Sequence, residues 1–168
     1  MMTHIGFHSH LVTLVMSCIT SISYSIMING EAQGHILPTR GLCQGDPLLS
    51  YLFLICAEGL SSMLIAAELA NEIHGMSISQ RGPPVTHLFF ADDSLIFCHA
   101  SALECRKVLN ILQDYEDISG QKMNTDKTTM CLNCNTNPRV QEVLKTIIGV
   151  LAIRSYERYL GLSSFIGH

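Results

Sequence analysis

Asp92 and Asp93 are two adjacent carboxylates set in an apolar stretch, between Phe90-Ala91 and Ser94-Leu95. One aspartate suits a turn; two side by side repel each other unless a cation neutralises them. Magnesium fits that role, because it takes oxygen ligands and often uses one or two carboxylates together with substrate phosphates. Two such ions ~3.5–4 Å apart clamp the attacking and leaving oxygens of a phosphoryl transfer. By composition alone the pair also describes an ordinary polar turn.

Other residues capable of chemistry are less organised. Of seven cysteines, Cys131 and Cys134 have ligand spacing, and no second C-x-x-C pair completes a four-cysteine zinc site. No zinc is therefore expected, and a small metal or redox protein built on Cys131 and Cys134 is a minor alternative. Cys18, Cys56 and Cys98 lie in apolar runs and read as small core residues in a reducing compartment. His4, His8 and His10 sit where a terminus is expected to fray.

The elements that must position Asp92 and Asp93 follow from periodicity and turn chemistry. Leu11, Leu14, Val15, Cys18 and Ile19 follow helical spacing. Residues 22–28 read as a strand, Asn29-Gly30 as a tight hairpin turn, and 35–37 as the returning strand. A loop with two glycines and bracketing prolines covers residues 38–47. Residues 48–71 read as a long, mostly buried helix, apolar at Leu48, Leu52, Ile55, Gly59 and Met63. After a turn over residues 80–84, two short apolar strands flank Asp92 and Asp93, so the carboxylates are expected at the tip of an antiparallel hairpin over residues 85–98. An amphipathic helix over 101–118 stops at Ser119-Gly120. A strand over 128–132, a helix over 138–148 and a last strand over 158–162 complete an α+β chain, mostly antiparallel and packed by helices.

The spacing of whole blocks is more specific than any single residue. Phe90-Ala-Asp-Asp93 at a hairpin tip resembles the (Tyr/Phe)-x-Asp-Asp motif of reverse transcriptases. Upstream, Gly41-Leu-Cys-Gln-Gly-Asp-Pro-Leu-Leu-Ser-Tyr-Leu-Phe53 resembles the Gly-Leu-Arg-Gln-Gly-Asp-Pro-Leu-Ser-Pro-Tyr-Leu-Phe block of plant LINE-type enzymes. Downstream, Ser119-Gly-Gln-Lys-Met-Asn-Thr-Asp-Lys-Thr128 is similar to that family's Ser-Gly-Gln-x-x-Asn-x-x-Lys-Ser block, and Tyr159-Leu-Gly-Leu162 to its primer grip. The chain thus resembles part of the reverse transcriptase domain of a non-LTR retrotransposon, across nearly all of residues 1–168 and in the family's motif order.

That resemblance implies a polymerase palm and fingers portion with Asp92 and Asp93 as metal-binding, catalytic carboxylates and Mg²⁺ as cofactor. It implies Gln44, Gly45, Phe90 and Ala91 against the nucleotide and template, where a side chain at position 45 would clash. Lys127 would lie near the leaving pyrophosphate. Tyr159, Leu160 and Gly161 would support the primer end. The partners would be an RNA template, a DNA primer and deoxynucleotide triphosphates. The chain also departs from the pattern: Cys43 replaces the usual Arg, Leu49-Ser50 replaces Ser-Pro, and Ser163 replaces a proline. The family's other metal-binding aspartate lies on a strand upstream of the helix that opens this chain, and neither Glu31 nor Asp46 matches it. The expectation is therefore a domain fragment that does not polymerise alone. A non-catalytic module of the same ancestry, binding nucleic acid or protein, is the alternative.

Composition bounds these readings. Hydrophobic residues make up 48% and charged residues 14%, against ~25% in an ordinary soluble domain, which points to surface meant for a partner or for further chain. Net charge is −4, and residues 1–100 hold only Arg40 and Arg81 as cations, so most phosphate-binding charge must come from elsewhere. Residues 5–30 carry no charged side chain, yet they lack a basic leader and are broken by serines and by Asn29-Gly30. The run 48–70 carries Glu58 and Glu68. Neither run is expected to cross a membrane.

Overall fold

Caps and turn residues set most element boundaries. The computed structural model describes residues 2–37, 46–77, 79, 82–91, 93–133 and 135–149, and the backbone of 153–154, 158–159 and 162–163. Two units divide the chain, 1–59 and 60–168.

In the first unit, α1 (Met2–Ile5) precedes α2 (Ser9–Thr20). His8 caps α2, its Nδ1 accepting from the His10 N–H at 3.2 Å, so the segment expected to fray is instead helical and capped. β1 (Tyr24–Ile28) and β2 (Glu31–Ile36) are antiparallel, with Ile28 opposite Glu31. Between them Asn29 and Gly30 both adopt positive φ, 51° and 85°, as the primed turn of a two-residue hairpin requires.

The longest helix, α3 (Pro47–Leu69), starts in the first unit and ends in the second. Asp46 opens it, its Oδ1 accepting from the Leu48 N–H at 2.8 Å, with Pro47 in the first turn. Asn71 closes it at φ 57°, and the Glu72 N–H bonds back to the Ala67 carbonyl at 2.9 Å, a Schellman arrangement. The expected stripe at Leu48, Leu52, Ile55, Gly59 and Met63 is half-buried. The helix is not mostly buried, however. Only Leu60, Leu64 and Ala67 are buried, while Leu49, Tyr51, Leu54, Ile65 and Leu69 are exposed. Apolar residues surround the whole helix, so hydrophobicity alone could not tell the covered face from the open one. α3 is long and apolar enough to cross a membrane by length and composition, a property that soluble core helices share.

In the second unit, β3 (Met76–Ser77) pairs antiparallel with β4 (Pro84–Val85), so Pro84 begins a strand rather than ending a turn. β5 (His87–Phe90) and β6 (Asp93–Ile96) form the next antiparallel pair. α4 (Ala102–Ser119) is capped by Ser101 and closed by Gly120 at φ 74°. α5 (Pro138–Ile148) is capped by Asn137 and closed by Gly149 at φ 72°. β7 (Met130–Cys131) pairs with β8 (Ile153–Arg154) in parallel, across a loop that contains α5. β9 (Arg158–Tyr159) and β10 (Leu162–Ser163) are antiparallel. The single strand expected over 158–162 is thus a pair of strands. The fold is α+β, with helices and mostly antiparallel strand pairs, as expected; among the described residues the strands pair in twos.

The core belongs to the second unit. Among the described residues, Leu60, Leu64, Ala67, Ile73, Cys105, Ile111, Tyr115 and Leu144 are its buried hydrophobic residues, and α4 packs against α5. No described residue of the first unit is buried. Cys18 and Cys98 are exposed and Cys56 half-buried, against the expectation of three core thiols. Cys18 lies on a helix that buries nothing, and Cys98 lies two residues past the end of β6. The Cys98 sulfur itself is desolvated and lies near Cys105 and Glu104, which together push its pKa up to about 11.

One close approach fixes β3 against β4. A Cβ on Gly75 would lie 2.7 Å from the carbonyl carbon and oxygen of Val85 and 2.9 Å from the Thr86 nitrogen. These are backbone atoms and cannot swing aside. Gly75→Ala is expected to cost about 1–3 kcal/mol, the range for overpacking a well-packed site. Urea unfolding of the variant checks this; a midpoint equal to that of the wild type would show that the strands part freely.

Candidate active site

The Asp-Asp hairpin is built from β5 and β6, with His87 opposite Ile96 and Phe90 opposite Asp93. Its ladder is extended by the Phe97 N–H donating to the Thr86 carbonyl at 2.8 Å. Leu88 and Phe90 are exposed on one face, while His87 and Phe89 are half-buried on the other. The inner face is anchored by His87. Its Nε2 is 2.9 Å from Ser61 Oγ on α3, its Nδ1 is 3.0 Å from Thr86 Oγ1, and its ring packs on Phe89 at 4.7 Å. In the sequence His87 is one residue of an apolar strand, and nothing local marks it as this anchor.

Two residues, Ala91 and Asp92, connect the strands. Ala91 sits at φ 49°, a left-handed conformation uncommon for a residue with a Cβ and concentrated at functional sites and tight turns. Asp93 is exposed at the first position of β6. The hairpin expected from the two apolar runs is present, with Asp93 at its turn; Asp92 lies outside the described residues. Phe90 is the last residue of β5 and Ala91 begins the turn.

The block 119–128 folds into a knot at the end of α4. Gly120 takes the left-handed cap position, and the Ser119 hydroxyl donates to the Tyr115 carbonyl at 2.7 Å while accepting the Gln121 N–H at 3.2 Å. The Tyr115 hydroxyl donates to Gln121 Oε1. Glu116 takes the Lys122 ammonium at 2.8 Å and the Met123 N–H at 2.6 Å, and these contacts lower its pKa. Asn124 Oδ1 accepts from the Asp126 and Lys127 N–H groups, and the Thr128 hydroxyl donates to the Asn124 carbonyl. Ser119, Gly120, Gln121, Asn124 and Thr128 therefore shape the loop, and Lys127 is presented from it, exposed. Gln44, Gly45, Leu160 and Gly161 lie outside the described residues, and Tyr159 is described as backbone in β9.

A second group of titratable residues was not expected. Ser101-x-x-Glu104 has the spacing of a capping box, in which the glutamate turns back to the cap N–H. Here the Ser101 N–H donates instead to the His99 carbonyl, and the Glu104 carboxylate goes elsewhere. Its Oε2 accepts the N–H groups of His74 and His99 at 2.9 and 3.0 Å, and its Oε1 faces both Nδ1 atoms at 3.0 and 3.2 Å. The two imidazoles stack at 4.8 Å, nearly parallel. Desolvation pushes the Glu104 pKa up, but the two backbone donors and the two histidines outweigh it, and the net direction is down. The capping spacing was legible; its partner 30 residues upstream was not.

The family model for reverse transcriptase (RNA-dependent DNA polymerase) matches residues 1–163. An uncharacterized mitochondrial protein of Arabidopsis thaliana is similar, 46% identical over 68 residues, which are 40% of this chain and 56% of that protein. The chain thus spans little more than half the length of the curated relative it matches. With a carboxylate-bearing hairpin inside an α+β chain and a family match over almost its whole length, the protein belongs to the reverse transcriptase (RNA-dependent DNA polymerase) family.

Proposed function

We propose that residues 1–168 are a partial reverse transcriptase domain of the plant-type non-LTR (LINE-type) class, carrying the double-carboxylate part of a two-metal nucleotidyl-transfer site. The observation that carries this reading is the tight β5–β6 hairpin with Asp93 exposed at its turn. Reverse transcriptases act on template, primer and nucleotide with a divalent metal. A carboxylate pair offers the hard oxygen donors that Mg²⁺ prefers, so Asp92 and Asp93 would hold it. When bound, the ion supplies positive charge to the phosphate oxygens and to the attacking hydroxyl.

The chain's own residues supply orientation. The Ser61–His87 contact holds the hairpin on α3, so the carboxylates start from a fixed base. Lys127, exposed on the loop 119–128, would be the cation for the leaving pyrophosphate. Gln44 and Gly45 would lie along the nucleotide, and Tyr159, Leu160 and Gly161 along the primer. The chain is proposed to be inactive alone, because neither Glu31 nor Asp46 matches the other metal-binding aspartate of the family's pattern.

A second reading, a non-catalytic module that binds protein or nucleic acid, is favoured by the exposed apolar residues Leu49, Tyr51 and Leu54 of α3. A Mn²⁺ titration followed by NMR tests the first reading. Amide signals of Ala91 and Ser94 are expected to broaden first, and Asp92→Asn with Asp93→Asn to weaken the effect by about tenfold or more, about 1.4 kcal/mol. Unchanged broadening in the double variant would remove the metal site from the hairpin and leave the binding module.

A further inference from the structure

We propose that His74, His99 and Glu104 form a binding site for a divalent transition-metal ion of the zinc class, made of different residues from the carboxylate pair of the hairpin. Two imidazoles and a carboxylate are a donor set that zinc and its neighbours accept and that the oxygen-seeking Mg²⁺ does not favour. One ligand atom from each of the three residues lies within 4.8 Å of the others. The separations from Glu104 Oε1 to the two Nδ1 atoms, 3.0 and 3.2 Å, are close to the ligand–ligand edge of a tetrahedral site. At Zn–N and Zn–O bonds of about 2.0–2.1 Å that edge is about 3.3–3.4 Å.

The carboxylate is held in advance. Glu104 is 8% exposed, and its Oε2 is fixed by two backbone N–H groups, which leaves Oε1 as the coordinating oxygen. The rings are the adaptable part, with His74 and His99 side chains 46% and 64% exposed. Lone pairs in parallel stacked planes do not converge, so the rings must tilt about their Cβ–Cγ bonds on binding. To coordinate, each ring presents the lone pair of Nδ1 and carries its hydrogen on Nε2. A cleft of about 450 Å³, shared by His74 and Glu104 with Asn71, Ser101 and the Glu72–Lys107 ion pair, leaves room for a water as fourth ligand.

Position in the chain gives the site its consequence. His74 follows the cap of α3, and His99 lies in the connection from β6 to α4. An ion there ties the helix that holds the hairpin's base to the segment leaving it.

The test is a titration of the full 168-residue chain with Co²⁺, followed by its visible absorption, and displacement by Zn²⁺. One equivalent is expected to bind with a tetrahedral spectrum and to raise the melting temperature. His74→Gln and His99→Gln, both at exposed side chains, are each expected to weaken binding by about tenfold or more while leaving helical circular dichroism unchanged. Asp93→Asn is expected to leave Co²⁺ affinity unchanged, which separates this site from the polymerase reading. Absence of binding at millimolar Co²⁺, or binding lost in Cys131→Ser but kept in both histidine variants, overturns the proposal.

Discussion

Primer extension on an RNA template by the 168-residue chain is expected to be at least about a thousandfold slower than by the same chain joined to an aspartate-bearing strand that completes the site. On the proposed reading, two-metal transfer needs carboxylates that converge from two strands, and β6 supplies Asp93, next to Asp92 in the sequence. Mg²⁺ gives up its waters reluctantly, so a site short of ligands holds it weakly. Loss of one ligand to the ion that activates the attacking hydroxyl removes transition-state stabilisation of several kcal/mol by order of magnitude. At ~1.4 kcal/mol per tenfold, three or more decades of rate follow. Template binding compounds the loss, since the net charge is −4 and phosphate contacts depend on Lys and Arg. The measurement compares the chain, its Asp92→Ala variant and the completed version in Mg²⁺ and in Mn²⁺. Extension by the chain alone that vanishes in Asp92→Ala would refute the incomplete ligand set while keeping the site. Rescue only by the added strand would support both.

Leu64→Ala is expected to destabilise the second unit by about 2–5 kcal/mol, the range for truncating a buried leucine. Leu64 is 0% exposed and, with Ile73, is one of the two largest fully buried side chains. Small domains hold only about 5–15 kcal/mol in total, so the loss is a large share. Leu69→Ala on the same helix is the control. Leu69 is 79% exposed, and its truncation is expected to stay within about 0.5 kcal/mol. Because the chain divides into two units, a single melting curve would mix them. Hydrogen exchange of the α4 amides reports the second unit alone. Equal exchange in the two variants would show that burial of Leu64 contributes little.

The sequence by itself determined the features whose causes are local. Asn29 and Gly30 accept positive φ, so their hairpin needed no tertiary help. Gly120 and Gly149 end their helices for the same reason, and the periodic runs at 101–118 and 138–148 gave α4 and α5 nearly to the residue. The Asp-Asp hairpin was legible because two short apolar runs flank Ala91-Asp92-Asp93.

Tertiary structure alone decided what joins distant segments. The parallel β7–β8 pair links Met130 to Ile153 across α5, and closing such a loop depends on packing rather than on either strand's own sequence. The open face of α3 was hidden by a helix that is apolar all round; only its neighbours choose which side is covered. Glu104 had the spacing of a local cap, yet its carboxylate left that role for the backbone of His74 and His99 and for their rings. A carboxylate has two oxygens and several acceptor positions, and it settles where the most donors converge. That convergence was set by where α3 ends and α4 begins in space, and no reading of residues 101–104 could supply it.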